Sequence, residues 1–198
     1  MKKRFSIFII SGLVLFFFSS CGLFQTRTPE EPVEDNTNYP PPTTPQIVIE
    51  NFLRSFNQKN LTVYQSCFAN EDETKFLFYP SSDVLSVYFD LFASWDLRSE
   101  IDFAKNLFSK FTSESYPVLL FNNPDFIAFS PDSTIFVSDY IVEINSRDPT
   151  INNSYKGTSQ FVLRIERNGL WKITKWLDFL LKEENFPTFS VLKAKVKS

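Results

Sequence analysis

The chain predicts an α+β fold, with helices packed on one face of an antiparallel sheet. Three observations lead there. Apolar residues recur at helical spacing between Pro45 and Phe111. From Pro117 onward the hydrophobic period changes to two. Asn168-Gly169, between alternating apolar runs, is the strongest hairpin signal in the chain.

The helices come first. Thr44 is suited to N-cap a helix with Pro45 at its first position, where a missing N–H costs nothing. Val48/Ile49, Phe52/Leu53 and Phe56 form its apolar stripe, and Asn57-Gln58-Lys59-Asn60 ends it. Asn60 can cap a short second helix that puts Leu61, Tyr64 and Phe68 on one side. Lys75 to Tyr79 reads as a strand stopped by Pro80. Residues 82–94 read as a short helix or an edge strand. Asp96 then caps a helix whose stripe is Ile101, Ala104, Leu107/Phe108 and Phe111. Four strands follow at 118–129, 134–145, 155–167 and 170–180. Ser130-Pro131-Asp132, the loop around Asp148-Pro149 and Arg167-Asn168-Gly169 supply the turns of a meander. Gly157 is expected to mark a bulge.

Composition excludes several chemistries. The 198 residues contain no histidine, two cysteines and four glycines. Ser-His-Asp and Cys-His catalysis are therefore absent, as are histidine-based and four-cysteine zinc sites. No GxGxxG or Walker-type phosphate loop is present. No cofactor is expected. Glu71-Asp72-Glu73 lacks calcium-loop glycine and spacing, so a solvated turn is expected and no metal site.

The N-terminus is an address. Lys2, Lys3 and Arg4 precede a 14-residue apolar run, Phe5 to Phe18, and Ser19-Ser20 precede Cys21. This is the layout of a signal peptide over residues 1–20. As a helix the run rises about 21 Å, short for a permanent span. Ser19, Ser20 and Cys21 resemble the lipobox of bacterial lipoproteins, with Phe18 standing where an aliphatic residue is usual. The resemblance implies that the Cys21 thiol carries a diacylglycerol and that its new amino group is acylated, a palmitate-type anchor. More than one acyl chain makes such attachment durable. Ordinary cleaved secretion and an uncleaved anchor are the alternatives. Gly22, in place of the aspartate that retains many lipoproteins in the inner membrane, implies an outer-membrane destination, on its periplasmic or surface face.

Removing Lys2, Lys3 and Arg4 with the leader takes the net charge from −3 to −6. An acidic chain argues against nucleic acid as a partner. Residues 21–45 hold six of the twelve prolines and four acidic residues, and read as a disordered, stalk-like tether. Residues 46–198 remain as one domain. Cys67, left without a partner cysteine, is expected to be a small buried apolar group.

The closing hairpin, Asn168-Gly169-Leu170-Trp171-Lys172-Ile173-Thr174-Lys175-Trp176-Leu177-Asp178, resembles the last strand of nuclear-transport-factor-2-like domains. The order of helices before a meander is similar too. Leu61 to Cys67, Trp95 before Asn106-Leu107-Phe108, and the ending Ser190-Val191-Leu192-Lys193-Ala194 resemble bacterial lipoproteins that carry such a domain. The resemblance implies a curved sheet that wraps a pocket. It also brings in enzymes of isomerase and dehydratase type beside many non-catalytic proteins.

Tyr140, Trp171, Trp176 and Asp178 are the candidate pocket or contact residues. Asp139, Asp178 and Tyr140 are the groups that the isomerase-like relatives would use for acid–base work. Against that, Asp178 is read as a structural acceptor at a strand end and Tyr140 as core. Lys193, Lys195 and Lys197 are expected in a solvated terminal segment, with an anionic surface as the other possibility. The reading reached is an anchored lipoprotein of the cell envelope with a non-catalytic domain that binds a small apolar ligand or an envelope protein. The alternatives are an enzyme with a pocket carboxylate, and an assembly module that forms a homodimer through the open sheet face.

Overall fold

The computed structural model describes residues 39–70, 74–145, 148–181 and 185–197. Cys21, the leader and Glu71-Asp72-Glu73 lie outside the described residues. Among the described residues ten elements follow in order: α1 (Pro45–Asn57), α2 (Leu61–Ser66), β1 (Leu77–Tyr79), α3 (Ser82–Phe92), α4 (Leu97–Ser109), β2 (Val118–Ser130), β3 (Ser133–Glu143), β4 (Ser154–Ile165), β5 (Trp171–Phe179) and α5 (Phe189–Lys197). The strands form one open, curved sheet in the order β1-β5-β4-β3-β2.

The capping residues act as their chemistry dictates. The Thr44 hydroxyl accepts from the Ile47 N–H at 3.4 Å, Asn60 Oδ1 from Val63 at 3.1 Å, and Asp96 Oδ1 from Ser99 at 2.9 Å. Each satisfies an N–H that the first turn of a helix leaves unpaired. At the other end of α1, Lys59 adopts φ 56°. Asn60 N–H returns to Ser55 O at 2.8 Å and Lys59 N–H to Phe56 O at 3.1 Å, which is the Schellman arrangement. Lysine stands there instead of glycine, and its ammonium compensates. It donates to the carbonyl oxygens of Thr112 and Ser115 and lies 4.1 Å from the Tyr116 ring centroid.

Four expectations are corrected and one open choice is resolved. The tether does not extend to Pro45: Tyr39 OH donates to Gln58, Asn51 donates to Pro40 O, and Trp171 N–H donates to Pro42 O at 2.7 Å. Within 82–94 the helix alternative holds: Ser82–Phe92 form α3, broken at Tyr88 (φ −122°, ψ 30°). The sheet is not wholly antiparallel, because β1 pairs with β5 in parallel. Gly157 is not a bulge; Tyr140 faces it in unbroken register, and a Cβ there would meet the Tyr140 hydroxyl at 2.4 Å. A bulge lies instead in β5, where Leu163 pairs with Ile173 and Val162 with Lys175, and two further register shifts fall in β2, at Asn122/Asp125 and Ala128/Ser130. In β5, Thr174 is therefore the extra residue. It shifts the alternation by one, so that Ile173 lies inward together with Trp176 rather than outward with Lys175. The last correction concerns the C-terminus. The three lysines belong to α5, and Lys193 is fully buried.

Candidate functional site

Strand alternation puts Phe136, Ser138, Tyr140 and Val142 of β3 on the helix-covered face, with Phe161 and Leu163 of β4 and Trp176 and Asp178 of β5. Phe52 and Phe56 of α1, Phe103 of α4 and Phe189 of α5 come down on them. The rings meet mostly edge to face: Trp176–Phe189 centroids lie 4.7 Å apart, Phe161–Trp176 5.0 Å and Phe52–Phe161 5.2 Å. All of these rings are at most 1% exposed. The inner face, where the resemblance places a pocket, is filled with aromatic side chains.

Two buried polar clusters hold α5 in this core. In the first, Tyr140 OH donates to Asp178 Oδ1 at 2.7 Å, and Ser190 N–H donates to Asp178 Oδ2 at 2.7 Å. The Ser190 hydroxyl also donates to Oδ2, and Phe189 N–H donates to the Tyr140 oxygen at 2.6 Å. Asp178 and Tyr140 thus accept the first two backbone N–H groups of α5 and cap that helix from the sheet. Burial raises the Asp178 carboxyl to about 6, against the pull of the Ser190 and Tyr140 hydrogen bonds, and raises the Tyr140 hydroxyl well above its usual range. Ser81 joins them: its hydroxyl bonds Thr188 and its N–H donates to Ser190 Oγ, leaving α3 without a side-chain cap.

In the second cluster, Glu100 Oε1 accepts from Tyr64 OH at 2.7 Å, and Oε2 accepts from Trp95 Nε1 at 2.8 Å and from the Lys193 ammonium. Both charged side chains are fully buried. Lys193 Nζ also lies 3.8 Å from the centroids of Phe78 and of Trp176. Burial outweighs Glu100 and lowers the ammonium to about 8, and burial likewise raises Tyr64 well above its usual range.

The structure brings Tyr140, Trp176 and Asp178 together, joined through Phe189. Trp171 is not with them. It is half-buried at the far end of β5, roughly 20 Å along the strand from Asp178. Asp139 lies on the opposite face and accepts from the Thr158 hydroxyl at 2.6 Å. Cys67 is buried, its thiol pushed up to about 12 by desolvation. Glu100 and Lys193 escaped sequence reasoning, although a signal was present. Glu100, Phe103, Ala104 and Leu107 are spaced as one helical stripe, and so are Phe189, Leu192, Lys193 and Val196. A charge on an apolar stripe marks a buried pair.

An open concavity of about 500 Å³ lies outside this core, between β1 and α3. Leu77, Tyr79, Leu85 and Phe89 form its exposed walls, and Phe78, Phe92 and Trp95 its buried floor. Its size and apolar lining are those of a small-molecule site. A smaller one, about 350 Å³, is bounded by Ser82, Leu85, Asp178 and Phe179. Among the described residues no cluster of three or more acidic or cysteine groups is placed to hold a metal ion, and no helix is long and apolar enough to cross a membrane.

No protein-family model matches the chain, and no curated protein matches it. Solved structures do. A Novosphingobium aromaticivorans protein, provisionally named an aromatic ring hydroxylase, is 14% identical, with 69% of this chain and 85% of that chain covered and a TM-score of 0.50. A Xanthomonas campestris protein, provisionally named a calcium/calmodulin-dependent protein kinase II association domain, is 11% identical, covers 70% and 86%, and also has a TM-score of 0.50. A nuclear transport factor 2-like superfamily protein from Salmonella enterica serovar Typhimurium is 15% identical, covers 71% and 87%, and has a TM-score of 0.47. At such identity the likeness is one of fold: the architecture is α+β and nuclear-transport-factor-2-like.

Proposed function

We propose that this chain is a lipid-anchored protein of the cell envelope whose domain binds a small apolar ligand in the groove between β1 and α3 and does not catalyse a reaction. The observation that carries the non-catalytic part is the use made of Asp178 and Tyr140. Both are buried, and both oxygens of Asp178 are engaged in holding α5. The groove supports the binding part. Phe89 is 65% exposed and Leu85 41%, so apolar side chains that a core would normally take are left facing an open concavity. The lipobox-like Ser19-Ser20-Cys21 supports the anchor.

Two measurements test this reading. Labelled palmitate should enter the wild-type chain and not the Cys21→Ser variant; incorporation in neither removes the anchor. An uncharged environment-sensitive dye such as Nile red should bind with one saturable phase that Phe89→Asp abolishes while the unfolding midpoint stays in place. Binding unaffected by Phe89→Asp removes the groove.

One observation favours an enzyme instead. Asp178, raised to about 6 beside a tyrosine hydroxyl at the edge of a concavity, has the make-up of an acid–base pair. Amide exchange separates the readings. If Asp178 caps α5, Asp178→Asn should speed exchange of the Ser190 amide; unchanged protection would favour catalysis.

A further inference from the structure

On the uncovered face of the sheet, Ser133 pairs with Arg164, Ile135 with Val162, and Val162 with Lys175. The Thr174 bulge and the segment Thr74-Lys75, leading to β1, close the remaining sides of a concavity of about 260 Å³. Its floor holds Ser133, only 2% exposed, whose hydroxyl has no hydrogen-bond partner. A buried hydroxyl without a partner is costly and uncommon. Around it stand Lys75, Arg164 and Lys175, contributed by three separate stretches of chain. Among the described residues none of the three is in an ion pair. Asp132, in the β2–β3 turn, is close enough to feel Arg164, but its carboxylate already accepts from the Ser130 hydroxyl.

We infer that this concavity binds a phosphate group, with Ser133 donating from the floor and Lys75, Arg164 and Lys175 neutralising the charge. The site presents hydroxyl, ammonium and guanidinium donors, the complement of a tetrahedral oxyanion. Three cations exceed what one carboxylate would balance and suit a dianion. The volume is below that of a site for a whole drug-sized molecule, so it takes the phosphate end of a ligand. The chain lacks a glycine-rich phosphate loop, and here side chains on a rigid sheet replace it. The chain as a whole is acidic, which repels anions at long range, so saturable binding must come from a local site. The site lies apart from the β1–α3 groove and does not rest on that reading.

Inorganic phosphate and a phospholipid headgroup share this chemistry, and the test separates them. The full chain in nonionic detergent is titrated calorimetrically with inorganic phosphate, then with acetate at equal ionic strength. In parallel it is titrated with glycerol phosphate, the soluble headgroup of phosphatidate, and with glycerophosphocholine, because an acylated chain would enter any vesicle through its anchor. Arg164→Gln/Lys175→Gln changes two exposed positions and should keep the fold. Ser133→Ala is checked by circular dichroism. The expected result is saturable phosphate binding without acetate binding, weakened at least tenfold by the double variant and several-fold by Ser133→Ala. Binding to glycerol phosphate alone, lost in the double variant, assigns the phosphate to a headgroup. Saturation with neither source, or binding the double variant leaves unchanged, overturns the inference. Phe89→Asp should leave this binding intact, so its failure and the groove's are separate results.

Discussion

The buried pair Lys193–Glu100 lends itself to a double-mutant cycle. Lys193→Met keeps the volume of the lysine stem and removes its charge. The Glu100 carboxylate is then left with two neutral donors, Tyr64 OH and Trp95 N–H. Glu100→Gln leaves the ammonium facing the Phe78 and Trp176 rings without an anion. Breaking a fully buried pair from one side costs about 3 kcal/mol or more, because an uncompensated charge stays behind. Two such losses would add to about 6 kcal/mol, a large share of a domain's total stability. The double variant should cost only about 2–3 kcal/mol, because neither charge remains and the amide oxygen introduced by Glu100→Gln can still accept from Tyr64. Urea unfolding at pH 7 with constant m-value measures all three variants. A coupling near 3 kcal/mol is expected; single costs that simply add within about 0.5 kcal/mol would refute the reasoning. The pH dependence gives a second readout. Lys193 titrates near 8 in the folded chain and about 10.5 unfolded, so the unfolded chain binds more protons between them. Stability from this group therefore rises from pH 8 to about 10.5 and is lost again as pH falls through 8, and Lys193→Met should lack that rise.

Other outcomes follow from the same geometry. Asp178, near 6 folded against about 3.9 unfolded, binds more protons in the native state, so its contribution is full below pH 4 and lost as pH rises through 6. The wild type minus Asp178→Asn difference should fall by up to about 3 kcal/mol across that window, measured by urea midpoints at each pH. Gly157→Ala should destabilise by about 1–3 kcal/mol, since its Cβ would meet Tyr140 OH at 2.4 Å and Phe179 O at 2.7 Å; a thermal melt checks it. Gly169 has φ 79° with nothing near its Cβ position, so Gly169→Ala should cost only the conformational term, roughly 1 kcal/mol, by the same melt. Asn60→Ala removes the α2 cap and should cost about 1 kcal/mol in urea.

Thr44, Asn60 and Asp96 were legible as caps because capping is local: a side chain reaches an N–H three residues on. The alternation of β3 was legible for the same reason. In β5 it failed at Thr174, since a bulge shows only when a partner strand sets the register. The stripe of α4 was displaced by one position: Ile101 and Phe111 are half-buried, while Glu100 and Phe103 are fully buried. Reading the stripe from apolar residues alone passes over a charge whose partner lies 93 positions away. The candidate site divides likewise. Tyr140, Trp176 and Asp178 were nameable from residue type and spacing, but Trp171 shares their strand and not their neighbourhood.

The sequence by itself determined the α+β order of elements, the caps, the Asn168-Gly169 turn, and the exclusion of histidine chemistry and glycine-rich phosphate loops. These depend on residue identity and on contacts within a few positions. Only the tertiary structure decided that the C-terminal lysines belong to a packed helix, with Lys193 buried, rather than to a solvated tail. It alone showed that Asp178 and Tyr140 cap that helix, and that Ser133 lies beneath three cations. Each of these joins groups far apart in the chain. Whether a charge is buried, paired or open to a ligand depends on what the fold brings against it.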